Sequence, residues 1–178
     1  MKFTRTRRRV ATVSGVALAF LFGPGLVFAG AAHASGVVWD PGYRQIVNAE
    51  TRYCADVKQE DGGNTPGARV QQWNCTGVAE QHWFPHQVAA TRDVFTFTSG
   101  QSHFCLDVRN GSTAPGALIQ QWPCNGTAAQ EWQVMTTGEI VSRLSGQCLD
   151  TVAGSKGASL MQWPCNGNIA QRWFIWAF

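Results

Sequence analysis

Apolar positions along this chain fall in short alternating runs, and the runs themselves recur. Val94-Phe-Thr-Phe-Thr98 and Phe104-Cys-Leu-Asp-Val108 alternate with the period of two expected of half-buried strands. Residues 43–48, 53–57, 139–144 and 147–151 read the same way, each bounded by turn residues. A longer frame follows each pair: Gly-Ala, a variable residue, an aliphatic, Gln or Met, Gln-Trp, Asn or Pro, Cys, and a Gly two residues on, closed by Gln-x-Trp. It occupies residues 67–83, 116–132 and 157–173 without insertion or deletion. Its aliphatic residues, Val70, Ile119 and Leu160, open a third strand in each copy, and a fourth begins near Gln81 and its equivalents. Twelve short strands without a convincing helix predict an all-β, barrel-like fold. It is built from one unit used three times, each unit too small to bury its own apolar face.

Alternation also predicts what faces where. With Val70, Ile119 and Leu160 inward, Gln71 with Trp73, Gln120 with Trp122, and Met161 with Trp163 fall on the outer face. Leu106 and Val108 inward leave Cys105 and Asp107 on that same outer side. Gln72, Gln121 and Gln162 then point inward, where an amide needs a hydrogen-bond partner, and backbone groups are the expected ones. Only one loop changes length between copies. From the first Cys to the frame's Gly it measures 13, 11 and 9 residues, so the three units are not expected to be equivalent in function.

The N-terminus changes the reading of charge. Lys2, Arg5, Arg7, Arg8 and Arg9 precede an apolar run and then Ala32-His33-Ala34, the layout of a secretory signal peptide over residues 1–34. The mature chain would start at Ser35 and be secreted, with a short linker over 35–41. The full chain carries a formal charge of +3, but nine Lys and Arg then face eleven Asp and Glu, a net −2. A mildly acidic domain gives no electrostatic reason to expect nucleic acid, or membrane after cleavage, as partner, and it is expected to be monomeric. All six cysteines lie in the mature part. Six allow fifteen pairings, and the repeat selects Cys54 with Cys75, Cys105 with Cys124, and Cys148 with Cys165. Each bridge would close a loop worth roughly 3 kcal/mol.

A Trp flanked by a carboxylate and amides suits a carbohydrate, since the C–H face of a pyranose lies on an indole while vicinal hydroxyls meet carboxylate and amide. Trp83, Trp132 and Trp173 of Gln-x-Trp are assigned instead to the core. Cys-Leu-Asp-Val, Ile-Gln-Gln-Trp-Pro-Cys-Asn-Gly and Gln-x-Trp, in triplicate, resemble the ricin-type β-trefoil lectins and related carbohydrate-binding modules, over about residues 42–178. The resemblance implies a β-trefoil of three pseudo-symmetric four-stranded repeats, about 42–90, 91–136 and 137–178, with up to one shallow sugar pocket per repeat. It implies a binding Asp at Asp56, Asp107 and Asp150, a polar partner at Gln71 and Gln120, a stacking Trp73, Trp122 and Trp163, and the motif's Gln81, Gln130 and Gln171. Two departures stand out. Where the family often has Asn before the last Gln, this chain has Glu80, Ala129 and Ala170, and Met161 replaces the amide in the third repeat. The second pocket therefore ranks first and the third last.

Galactose-type sugars, xylan or another polysaccharide are the ligands this resemblance implies. No cofactor or metal is expected, because the closely spaced Cys or His pairs of a zinc site are missing. Catalysis is not expected either. Asp56, Asp107 and Asp150 belong to different repeats, unlike the close carboxylate pair of a glycosidase, and no Gly-x-Ser-x-Gly elbow is present. The competing class is a protein-binding trefoil, such as a protease inhibitor or a toxin or adhesin component, because one fold hosts unrelated functions.

Overall fold

The computed structural model describes residues 42–177. The expected signal peptide and linker, residues 1–34 and 35–41, lie outside the described residues. Twelve strands follow one another: β1 (Arg44–Asn48), β2 (Cys54–Val57), β3 (Val70–Trp73), β4 (Trp83–Gln87), β5 (Val94–Ser99), β6 (Cys105–Val108), β7 (Ile119–Trp122), β8 (Trp132–Val134), β9 (Ile140–Ser142), β10 (Cys148–Thr151), β11 (Leu160–Trp163) and β12 (Trp173–Ala177). The helical elements among the described residues are single 3-10 turns. One difference from the sequence reading lies here. Gln81, Gln130 and Gln171 sit in 3-10 turns, and the fourth strand of each repeat starts two residues later, at the Trp of Gln-x-Trp.

Six strands make the barrel wall. β4 pairs with β1 and β5, β8 with β5 and β9, and β12 with β1, all antiparallel. A bridge between Glu139 and Arg172 joins the β9 side to β12. The hairpins β2–β3, β6–β7 and β10–β11 close one end. Around the pseudo-threefold axis the third strands hydrogen-bond to one another's frames. Gln72 N–H donates to Ala158 O, Gln121 N–H to Ala68 O and Gln162 N–H to Ala117 O, at 2.8–2.9 Å. No repeat is complete alone, which is the physical content of a small unit used three times.

The core forms where the alternation puts it. Val70, Ile119 and Leu160 are fully buried together with Ile46, Phe97 and Ile140 from the barrel. Trp83, Trp132 and Trp173 fill the same cluster, and each indole N–H donates to a backbone carbonyl two strands earlier, at Ala55, Leu106 and Leu149, all 3.0 Å. A Trp suits this place because it fills volume and its buried N–H finds a backbone acceptor.

The inward amides find the partners they need, and they find them across repeats. Gln121 Nε2–H donates to Gly63 O at 2.5 Å and Thr65 O at 3.0 Å in the first repeat, while Ser102 donates to its Oε1. Gln162 reaches Ser112 O and Ala114 O in the second repeat, and Gln72 reaches Thr151 and Ala153 O in the third. Each amide thus ties its repeat to the long loop of the one before it.

Candidate functional site

Register in the hairpins sets the three candidate sites. Asp107 faces Gln120 and Cys105 faces Trp122 across β6–β7, and Asp56/Gln71 with Cys54/Trp73 repeat this in β2–β3. The disulfides Cys54–Cys75, Cys105–Cys124 and Cys148–Cys165, each with Cα atoms 5.1 Å apart, tie the segment beyond each Trp back to the Asp-bearing strand. That segment turns at once into the 3-10 turn carrying the last Gln. Asp, both glutamines and Trp therefore converge although up to 25 residues separate Asp56 from Gln81.

In the second repeat, Gln120 Nε2–H donates to Asp107 Oδ1 at 2.8 Å and Gln130 Nε2–H to Oδ2 at 3.1 Å. Gln130 is itself held by Pro123 O and by the Asn125 N–H. Each carboxylate oxygen thus spends one acceptor position on a fixed amide and keeps a second for a ligand, a geometry matched to two neighbouring hydroxyls. Asp107 forms part of the lining of an open cleft of about 360 Å³, with Trp122 as one wall and Asn110, Asn125 and Thr127 around the mouth. The first repeat repeats the cradle. Gln71 donates to Asp56 Oδ1 at 2.9 Å, Gln81 to Oδ2 at 3.0 Å, and the cleft is about 270 Å³.

Alternation described these residues as outward, and the structure refines that. Asp107 is only 4% exposed and Gln120 5%, whereas Trp122 is 41% exposed. The 3-10 turn folds over the polar end of the hairpin face, so the carboxylate becomes a cleft floor and the indole its wall. Burial raises the pKa of Asp56 and Asp107 above the ordinary aspartate value. The paired glutamine donors partly offset that shift by favouring the charged form, and at Asp56 the nearby Glu80 adds to it.

The third repeat keeps Asp150, Gln171 and Trp163 but changes the carboxylate's partners. Gln171 donates to Asp150 Oδ2 at 2.7 Å, and Oδ1 accepts from the backbone N–H of Thr151 at 2.7 Å. Met161 faces Asp150 in the register and has no amide to offer. Trp163 remains 41% exposed.

Residues beyond the repeated motif also border the sites. Gln59, Glu60, Thr76, Val78 and Glu80 line the first cleft, and Leu144, from the third repeat, lines the second. They lie in loops or in the neighbouring unit, where a single-repeat pattern carries no signal; superposing the three copies would have flagged the loops alone. Among the described residues no group of three or more His, Cys, Asp or Glu could hold a metal ion.

The ricin-type beta-trefoil lectin domain model matches residues 42–173. No curated protein matches the chain by sequence. Solved structures do. ThreeFoil, a designed 3-fold symmetric protein, is 28% identical with a TM-score of 0.71, covering 77% of this chain and 99% of its own. The exo-beta-1,3-galactanase 1,3Gal43A of Clostridium thermocellum is 26% identical with a TM-score of 0.71, over 78% of this chain and 31% of that longer one. The C-half of the earthworm R-type lectin, solved with GalNAc, is 17% identical with a TM-score of 0.63, over 78% of this chain and 100% of its own, a likeness of fold. With this motif, this threefold architecture and this match over most of its length, the chain belongs to the family of ricin-type β-trefoil lectin domains.

Proposed function

We propose that the protein is a secreted, non-catalytic lectin that binds carbohydrate through shallow Asp/Gln/Trp pockets. The pocket of the second repeat is the strongest, that of the first follows, and that of the third is weakest. The observation that carries this reading is the twice-built cradle in which two glutamines orient one buried Asp beside a Trp wall. A pyranose face stacks on Trp122 or Trp73 while two adjacent hydroxyls donate to Asp107 or Asp56. The third pocket lacks the strand amide at Met161, so it orients its carboxylate differently. Galactose-type sugars, xylan or another polysaccharide are the ligand classes proposed. The earthworm lectin's GalNAc and the Neu5Aca2-6Galb1-4GlcNAc epitope bound by the Polyporus squamosus lectin support testing galactose-type glycans first. Single shallow pockets bind weakly, and two or three engaging one polymer would raise apparent affinity without new contacts.

Secretion is proposed from the basic segment, apolar run and Ala32-His33-Ala34 of the N-terminus. The test is binding of the oxidised mature chain, residues 35–178, to immobilised glycans and insoluble polysaccharides. The Asp56→Ala/Asp107→Ala/Asp150→Ala variant serves as control. Binding that vanishes in the folded variant is expected; its persistence there would refute the Asp/Gln/Trp pockets as the sugar sites, and no binding at all would turn the reading toward a protein partner.

A further inference from the structure

The first and second clefts share a carboxylate floor and an indole wall, and they differ beside the floor. Glu80, the residue before the last Gln of the first repeat, stands where the second repeat has Ala129, and each lines its own cleft. A second position changes with it. Gln101, four residues before Cys105, corresponds to Leu144, four before Cys148. Gln101 Nε2–H donates to Glu80 Oε1 at 3.5 Å and exchanges hydrogen bonds with Gln59, another residue of the first cleft. Leu144 lines the second cleft and packs against the core cluster to which Ala129 belongs. The first cleft thus holds a half-buried carboxylate, steadied from the second repeat, where the second cleft is apolar.

That carboxylate has no cationic partner among the described residues. Glu60, also at the first cleft, pairs with Lys58 at 3.3 Å, while neither Asp56 nor Glu80 takes part in a salt bridge. Lys156 Nζ lies 4.5 Å from the centroid of the Trp73 ring but is not among the residues lining the cleft. Burial is the main cause raising the Asp56 pKa and the Glu80 charge adds to it, so the two carboxylates lie within electrostatic reach of each other. In the second cleft Asp107 is the one carboxylate in the lining.

We propose that Glu80 is the specificity-determining residue of the first repeat's cleft, giving it a preference for a sugar ring that bears a protonated amine over the neutral ring of the same shape. The inference rests on the sugar-binding reading of that cleft. Two uncompensated carboxylates in one part-buried cleft favour a cation and repel an acidic sugar. An ammonium alone does not fill the site. Each Asp56 oxygen keeps one acceptor position for a hydroxyl, and Trp73 offers an indole to the C–H face of a ring, so the amine is recognised as a substituent of a pyranose. A metal ion is not the alternative, because Asp56, Glu60 and Glu80 form no group able to hold one.

The test compares the two pockets in the mature chain. Asp107→Ala/Asp150→Ala leaves the first, and Asp56→Ala/Asp150→Ala leaves the second. Galactosamine and galactose, and glucosamine and glucose, are titrated by NMR at about pH 6, below the pKa of about 7.7 of an α-amine. The ratio of amino-sugar to neutral-sugar affinity should be about threefold to tenfold higher in the first pocket than in the second, between an exposed and a part-buried charge pair. Glu80→Gln, which keeps the shape, and Glu80→Ala, the residue of the second repeat, should each bring the first-pocket ratio close to that of the second. The preference should also weaken as salt is raised. Equal ratios in the two pockets overturn the proposal, as does a first-pocket ratio that both Glu80 variants leave unchanged. Ethylamine that competes as well as galactosamine overturns it too, since the carboxylates would then hold any ammonium. If none of the four sugars binds the first pocket while the second binds one, the sugar-binding reading of the first cleft has failed, and the proposal with it.

Discussion

Trp122 and Trp132 stand ten residues apart, and their substitutions should separate binding from folding. Trp132 is fully buried and its indole N–H donates to Leu106 O at 3.0 Å. A buried Trp→Ala change costs about 3–5 kcal/mol, and losing the indole N–H hydrogen bond adds about 1 kcal/mol. The sum, about 4–6 kcal/mol, is comparable to the whole stability of a small domain, about 5–15 kcal/mol. Trp122 is 41% exposed. Its buried part, about 120 Å² of a side chain that can bury about 200 Å², contributes about 3 kcal/mol as a ceiling and about 2 kcal/mol once residual burial in the denatured chain is allowed for. The assay pairs urea denaturation with glycan binding, in an Asp56→Ala/Asp150→Ala background that leaves only the second pocket. At about 2 kcal/mol per molar urea, Trp132→Ala should lower the midpoint by 2 M or more, or leave no folded protein, and Trp122→Ala by about 1 M. Trp122→Ala should nonetheless lose sugar binding while folded. Equal destabilisation by the two changes, or full binding by Trp122→Ala, would refute the division of labour between the tryptophans.

Two further outcomes follow from the geometry. Asp56 and Asp107 have pKa values raised by burial and must be ionised to accept two hydroxyls, so sugar binding should fall on acidification at a pH above the ordinary aspartate value of about 3.9. A raised carboxyl pKa favours the folded state on the acid side, and that contribution fades as pH rises through the folded value, so these two groups make binding and stability move in opposite directions on acidification. A binding titration with its midpoint at or below 3.9 would contradict this. Gln121→Ala leaves Gly63 O, Thr65 O and the Ser102 hydroxyl without their amide and should cost about 3 kcal/mol in urea denaturation, far more than an exposed Gln. A loss under about 1 kcal/mol would show that the tie between repeats is not carried by this side chain.

Much of the fold was legible because it is written three times. Val70, Ile119 and Leu160 recur at one place in a period-two run, and an aliphatic conserved in position across copies can only serve the shared core. The same repetition picked one cysteine pairing out of fifteen. Boundaries were less legible. Gln81, Gln130 and Gln171 read as strand starts, yet each is the last residue of a 3-10 turn, because their side chains are drawn to Asp56, Asp107 and Asp150 rather than into a ladder.

By itself the sequence determined the repeat, the strand order, the inward and outward sides of each strand, and which tryptophans differ from which. These depend on residue type and spacing, which local sterics and burial translate directly into structure. Only the tertiary structure decided what lies between repeats. It gave each inward Gln its partners in another unit's loop, turned the outer-face Asp107 into a cleft floor, put Leu144 at the second site and laid Lys156 on Trp73. Those contacts join residues as much as 83 positions apart, and their energy depends on how three units close around an axis, which no pattern within one unit encodes.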